Sequence, residues 1–381
     1  MPFTLIATTF AHLEPVLADE LQRLGANNIK VLNRAVSFDA DEYLLYASNM
    51  YLRTAVRILQ PWFSFTASSE QELYDNAMQQ HWEEHLGTDT TFAIDFAVNS
   101  PYFHHSKYAS LKLKDAIADY FRNKTGIRPS VDPEYPDVQL HMHIFNSTVN
   151  ISIDTSGDAL YKRGYRNSLH KAPLNEVLAA GMIQLSGWDM DSTFFDPMCG
   201  SGTLVIEAGM LANNIFPCLV RNEYSFKKKK NFNAALYKQI LLDAAANVKD
   251  KKIILAGSDI DRKSIEMARQ NAKNAKLDGK TDFFVKPFHE CDPPKQKGTV
   301  MMNPPYGERL ANFDIPTFYK EIGDTFKKKY SGYTAWILTS NKEAMKSIGL
   351  KTSKKFTLFN GPLECKLLRF DLYEGSRKVS K

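Results

Sequence analysis

Apolar and polar positions alternate like a strand from Phe3 to Ala7, change to helical spacing from Leu13 to Leu24, stop at Gly25, and return to strand spacing between Ile29 and Phe38. Residues 1–44 therefore predict a small α+β unit. Between 45 and 155 the pattern predicts helices over 70–82 and 107–123 and strands over 91–98, 138–145 and 148–153, with a turn at Gly126-Ile127-Arg128-Pro129. The remainder reads differently. Short apolar runs at Phe194-Phe195, Ile253–Gly257, Phe283–Val285, Thr299–Met302 and Thr334–Leu338 are separated by helical stretches over 175–187, 262–275 and 316–328. Strands alternating with helices predict a parallel sheet covered on both faces. After the turn Asn360-Gly361-Pro362-Leu363-Glu364, the run Cys365 to Tyr373 predicts a closing strand at an antiparallel edge.

Chemistry concentrates where three of these strands end. The first runs into Asp196-Pro197-Met198-Cys199-Gly200-Ser201-Gly202-Thr203 and then an apolar helix. Gly200 and Gly202 permit tight curvature and let a ligand approach main chain without a Cβ in the way. No lysine follows the glycines, so this is not a P-loop, and the third glycine of the dinucleotide fingerprint is missing. A nucleotide-like ligand without pyrophosphate fits better. The second strand ends in Gly257-Ser258-Asp259-Ile260-Asp261. A carboxylate there is placed to meet ribose hydroxyls, while helix capping is the alternative for either aspartate. The third ends in Asn303-Pro304-Pro305-Tyr306. An exocyclic amino nitrogen is a poor nucleophile because its lone pair is delocalised into the ring. An Asn oxygen and the next carbonyl can each accept one of its N–H bonds and aim the lone pair out of plane. The prolines stiffen that turn, and Tyr306 can stack on a base swung out of its helix. A plain Pro-rich turn is the alternative.

These strings, in this order, resemble the class I (Rossmann-like) S-adenosylmethionine-dependent methyltransferases of the amino-group type. DPMCGSGT, GSDID and NPPYGERL are similar to the RNA methylases that carry an N-terminal THUMP domain, close to the large-subunit rRNA guanine-N2 enzymes. The segment from Arg128 to Arg166 resembles the end of a THUMP domain, an RNA-binding module. The resemblance implies an N-terminal ferredoxin-like segment (1–44), a THUMP domain (45–155) and a methyltransferase domain (156–381) with a mostly parallel seven-stranded sheet. It implies S-adenosylmethionine as cofactor and 23S rRNA or a large-subunit assembly intermediate as partner. Asp196, Pro197, Cys199, Gly200, Ser201, Gly202, Thr203, Asp259 and Ile260 would lie on the cofactor, with Pro173 of the His170–Leu174 segment at its methionine end. Pro173 is equally explained as a first-turn proline. The polar side chain that often meets adenine after the fourth strand is replaced by Lys286-Pro287-Phe288-His289, leaving backbone or packing on Phe288.

Composition changes the picture little. With 381 residues, of which 44% are hydrophobic, the chain can form two or three real cores, and a net charge of +5 suits a nucleic-acid partner without requiring one. The four cysteines lack metal or disulfide spacing, so ordinary reduced thiols and no metal are expected. The start lacks a basic leader, and no apolar run of about 18 residues occurs, which predicts a cytoplasmic protein. Lys112, Lys114, Arg122 and Arg128 cluster around one helix and its turn, and Lys162, Arg163, Tyr165 and Arg166 begin the link to the second half. Phosphate contact and base stacking are one reading, and a solvated face and a charged hinge the other. Lys227–Lys230 lies in an aromatic loop that could touch RNA, whereas Lys327–Lys329 suits a helix C-terminus. An N6-adenine DNA methyltransferase and a non-catalytic RNA-binding protein are the rival readings. The THUMP-like half argues against the first, and the intact motifs against the second.

Overall fold

The computed structural model describes residues 3–166, 174–294, 297–305 and 314–373. In the first half the elements are β1 (Phe3–Thr8), α1 (Glu14–Arg23), β2 (Asn27–Leu32), β3 (Ala35–Ala40), α2 (Glu42–Tyr51), β4 (Arg57–Thr66), α3 (Glu70–Met78), β5 (Thr91–Asn99), α4 (Ser106–Thr125), β6 (Ser130–Val131), β7 (Val138–Phe145) and β8 (Thr148–Asp154). The second half holds α5 (Glu176–Ser186), β9 (Thr193–Asp196), α6 (Thr203–Ala212), α7 (Ala234–Ala246), β10 (Leu255–Asp259), α8 (Arg262–Asn274), β11 (Asp282–Val285), β12 (Gly298–Met302), α9 (Ile315–Lys329), β13 (Thr334–Thr339), α10 (Lys342–Ser347), β14 (Lys354–Asn360) and β15 (Leu363–Asp371).

Local chemistry sets most boundaries. Ser69 caps α3 through the Glu72 N–H, and Glu72 returns the contact to the Ser68 N–H at 2.7 Å. The helix predicted to reach residue 82 stops at Met78. Trp82 turns into the core instead, and its indole N–H donates to the Ala77 carbonyl at 2.8 Å, satisfying a helix-end acceptor. Gly126 and Gly187 end α4 and α5 in the left-handed conformation.

The first surprise is that one eight-stranded sheet, ordered β2-β3-β1-β4-β8-β7-β5-β6, runs through the whole N-terminal half. β4 is the seam, antiparallel to β1 on one side and to β8 on the other, with a register shift between Pro61 and Phe63. Residue 44, where the sequence pattern divides the chain, lies inside α2, which follows β3 directly.

The second half builds a seven-stranded sheet ordered β11-β10-β9-β12-β13-β15-β14. β11 through β13 are parallel, and β15 and β14 are antiparallel. The closing strand is thus not the edge. β15 inserts between β13 and β14, and β14, absent from the sequence expectations, takes the outer position.

The halves share cores. Leu13 and Val16 pack with Val177, Leu178 and Met182 of α5, and Gly181 makes room: a Cβ there would stand 2.7 Å from Leu13 Cδ1. In return Phe226, Ile240 and Ala244 join the cluster of Leu45, Tyr46 and Met50 on α2. Among the described residues no helix is long and apolar enough to cross a membrane.

Candidate active site and nucleic-acid surface

β9 is the first strand of the parallel sheet, with β10 and β11 stacked to one side and β12 and β13 to the other. The reversal of winding opens a crevice beyond the carboxyl ends of β9 and β12, where open α/β sheets bind ligands. The glycine loop leaves β9 there. Asp196 is buried at its root, accepting the Met198 N–H at 3.1 Å, and burial, then the charge of Asp259, pushes its carboxyl well above the ordinary range. Pro197 is buried, and its carbonyl accepts from the Ser258 hydroxyl at 3.4 Å. Burial, followed by the charges of Asp196 and Asp259, raises the Cys199 thiol too, which makes it inert packing; its N–H donates to the Ser258 carbonyl at 2.9 Å.

Gly200 and Gly202 have φ of +51° and +84°. A Cβ on Gly202 would stand 3.0 Å from Ala268 Cβ, whereas one on Gly200 meets nothing within 4 Å. Gly202 therefore serves close packing and Gly200 faces the open side. Ser201 and Thr203 are buried, tied to Asn271 Nδ2 at 3.1 Å and to Arg166 Nη2 at 2.8 Å.

Asp259 does more than face a sugar. Its Oδ2 accepts the Gly200 N–H and its Oδ1 the Asp261 N–H, each at 2.9 Å, so it ties the glycine loop to β10. Asp261 is the cap of α8. Ile260 is 74% exposed beside them. Phe288 is turned into the core against Phe326 and Tyr330 and offers no open ring face.

Asn303 leaves β12, and its Oδ1 is buried with no hydrogen-bond partner among the described residues. Pro304 is buried and Pro305 half-buried beside it. Tyr306 and Pro173 lie outside the described residues.

The link residues correct the sequence reading. Arg163 and Tyr165 are fully buried: Arg163 donates to the Leu160 and Arg53 carbonyls and sits 3.7 Å from Glu207, and the Tyr165 hydroxyl meets Glu207 at 3.2 Å. Neither can reach a phosphate or a base. Arg166 bonds the Leu174 carbonyl and Thr203, and its Nε lies 2.9 Å from Glu176 without a well-aligned hydrogen bond. Burial, only partly countered by Arg166, pushes the Glu176 carboxyl up to about 7. Only Lys162, paired to Asp158 at 2.7 Å, stays largely exposed. The residues missed are Glu176 and Glu207. For Glu207 the signal was a lone carboxylate inside an otherwise apolar helix, which an interior partner must balance, whereas Glu176 opens α5 as an ordinary first-turn acid.

The four other cations do converge. Lys112, Lys114, Arg122 and Arg128 line one groove of about 900 Å³ between α3, α4 and the 128–131 segment, with Tyr74 in its wall. Lys114 and Arg122 are paired to Asp115 at 2.9 Å and Asp119 at 2.7 Å. Such exposed pairs are worth little and leave the cations open to competition by phosphate. Lys228 and Lys229 instead face the N-terminal half. Among the described residues no group of three or more His, Cys, Asp or Glu is placed to hold a metal ion.

This fold and crevice define a Rossmann-like methyltransferase domain carrying ferredoxin-like and THUMP units. Residues 4–59 match the RlmL ferredoxin-like domain, 67–154 the THUMP domain and 163–369 the RMKL-like methyltransferase domain. The chain belongs to the RMKL-like methyltransferase family. A Synechocystis protein named "Putative RNA methyltransferase" is 36% identical over 96% of both chains. The ribosomal RNA large subunit methyltransferase K/L of Syntrophotalea carbinolica is 36% identical over 98% of this chain. The chain spans about half the length of the K/L relatives, 54% in that case. Among solved structures, one described as "a putative methyltransferase complexed with SAH" superimposes with a TM-score of 0.87 at 30% identity, over 98% of this chain and 99% of that one. A Listeria monocytogenes protein described as "a predicted N6-adenine-specific DNA methylase" gives 0.85 at 29%, over 98% and 97%.

Proposed function

We propose that this chain transfers a methyl group from S-adenosylmethionine to an exocyclic amino group of a base in structured RNA, with guanine N2 of large-subunit rRNA as the target. The observation that carries the reading is Asn303 Oδ1, a buried acceptor with no partner among the described residues. Leaving such an atom unpaired costs about 1 to 3 kcal/mol, which a substrate amine would recover.

The residues fit the cofactor. Gly200 is open where a ligand would lie, Asp259 holds the loop and has lone pairs left for ribose hydroxyls, and Ile260 is exposed beside it. S-adenosylmethionine, when bound, supplies a methyl carbon whose old bond electrons leave with sulfur. Asn303 and the Pro304 carbonyl accept the two amine N–H bonds and direct the lone pair along the line of displacement. Pro305 holds the turn and Tyr306 stacks the base. After the carbon–nitrogen bond forms, the amine proton is acidic and passes to water, so no side-chain base is required. The proposed units are 1–44, 45–155 and 156–381, with the groove of Lys112, Lys114, Arg122 and Arg128 contacting phosphates away from the reacting base.

N6-adenine methylation of DNA is the second reading, favoured by the name of the Listeria neighbour. The THUMP match favours RNA. Tritiated methyl transfer to naked rRNA, assembly intermediates and duplex DNA under one salt condition decides between them: preferential labelling of DNA overturns the RNA assignment. Mass spectrometry of rRNA nucleosides from a deletion strain then identifies the modified base.

A further inference from the structure

The run Lys227–Lys230 reads in sequence as a surface for RNA, yet two of its ammonium groups, that of exposed Lys228 and that of half-buried Lys229, are engaged by acceptors of the protein itself. Lys228 Nζ donates to the Pro136 carbonyl at 2.6 Å and the Tyr135 carbonyl at 3.3 Å, in the loop before β7. Lys229 Nζ donates to Gln60 Oε1 at 2.6 Å. Burial holds the Lys229 ammonium down to about 8. All three acceptors belong to the N-terminal half.

The segment that carries these lysines is fastened on both sides. Arg221 donates to four backbone carbonyls of the link, at Ser156, Asp158, Ala159 and Lys162, over 2.7 to 3.2 Å. The Phe226 N–H donates to the Thr155 carbonyl at 2.9 Å, and its ring stacks on Tyr46 at 4.6 Å. Gln60 precedes Pro61, where the register shift in β4 begins; β4 is the strand joining the ferredoxin-like and THUMP parts of the sheet. A bulged strand bends and twists, so strand pairing alone fixes the THUMP angle poorly. Lys229 grips that strand near the bulge, and Lys228 grips the loop that enters β7, two strands further along the sheet.

We propose that Lys228 and Lys229 are positioning residues: bridging from the catalytic half, they hold the THUMP unit at one angle and so determine which base of a gripped RNA reaches Asn303. This rests on the RNA methyltransferase reading.

The test uses the full chain with Lys228→Ala and Lys229→Ala combined, with Gln60→Ala separately, and with spin labels at the exposed positions Ile127 and Leu242. The label distance distribution should broaden, and KM for long rRNA should rise about tenfold, since small misplacements far from the chemistry are costly. Additional methylated positions should appear, while cofactor affinity and the salt slope of RNA binding stay at wild-type values. Lys228→Arg with Lys229→Arg should restore the narrow distribution, because guanidinium also donates to carbonyls. A distribution and KM unchanged in the alanine variant overturn the proposal. So does a fall in salt slope of about two units, which would make these lysines phosphate contacts. If wild type labels no RNA, the functional reading fails by itself, and the spin-label distances still decide whether the brace exists.

Discussion

Replacing Asp259 tests how the cofactor site is built. Its carboxylate ties Gly200 and Asp261 through two 2.9 Å bonds, and only the Gly200 bond bears on the loop that would cradle the methionine end. A hydrogen bond to a charged group is worth about 1.5 to 3 kcal/mol, so Asp259→Ala should weaken S-adenosylmethionine and its demethylated product alike by about ten- to a hundredfold or more. Any ribose contact adds to that loss. Asp259→Asn should fall between, because its amide keeps one acceptor but turns a donor toward one of the two N–H groups. Asp261→Ala is the control: it removes the α8 cap, costing about 1 kcal/mol of stability, and should leave affinity unchanged. Calorimetric titration of the three variants reads this directly. Unaltered affinity in Asp259→Ala would refute both the ribose role and the loop tether.

Other variants separate chemistry, RNA grip and the buried link. Asn303→Ala should abolish methyl transfer with cofactor affinity intact; retention of more than about a tenth of the rate, roughly 1.4 kcal/mol, removes the orientation argument. Neutralising Lys112, Lys114 and Arg122 together should reduce the salt slope of RNA binding by about two to three units, and an unchanged slope would mean that the groove is only a solvated face. Glu176 stands at about 7 in the fold against an ordinary 4.5, so the folded chain holds an extra proton between those values. The stability it contributes is complete below 4.5 and lost as pH rises through 7. The melting temperature of Glu176→Gln relative to wild type should therefore increase over that window, and a constant difference refutes the assignment.

How much of this was legible in the sequence depended on whether local or distant contacts decide the outcome. The parallel strands, the glycine loop and the Asn303 turn were readable, because apolar runs ending in Asp, Gly or Asn-Pro carry their geometry with them. That one of Asp259 and Asp261 caps α8 followed from the same local chemistry, and the structure assigns the cap to Asp261. β14 was missed because Lys354–Asn360 mixes four polar residues with three apolar ones and its pairing partner lies beyond the next turn. Lys162 to Arg166 misled for a related reason. A basic-aromatic string looks the same whether its partners are phosphates or buried carboxylates on later helices, here Glu176 just past the link and Glu207 on the helix after it. The lysine run at 227–230 repeats the lesson, with backbone carbonyls and the Gln60 side-chain oxygen as acceptors.

The exchange of core residues between the halves also has a consequence for synthesis on the ribosome. α2 presents Leu45, Tyr46 and Met50 to a cluster completed by Phe226, Ile240 and Ala244, which are translated roughly 190 residues later. At about 5 to 20 residues per second the nascent N-terminal half waits on the order of ten to forty seconds with that apolar face uncovered. The segment that completes its interior arrives only after β9 and α6 have emerged, so the last step of maturing the N-terminal half belongs to the catalytic half.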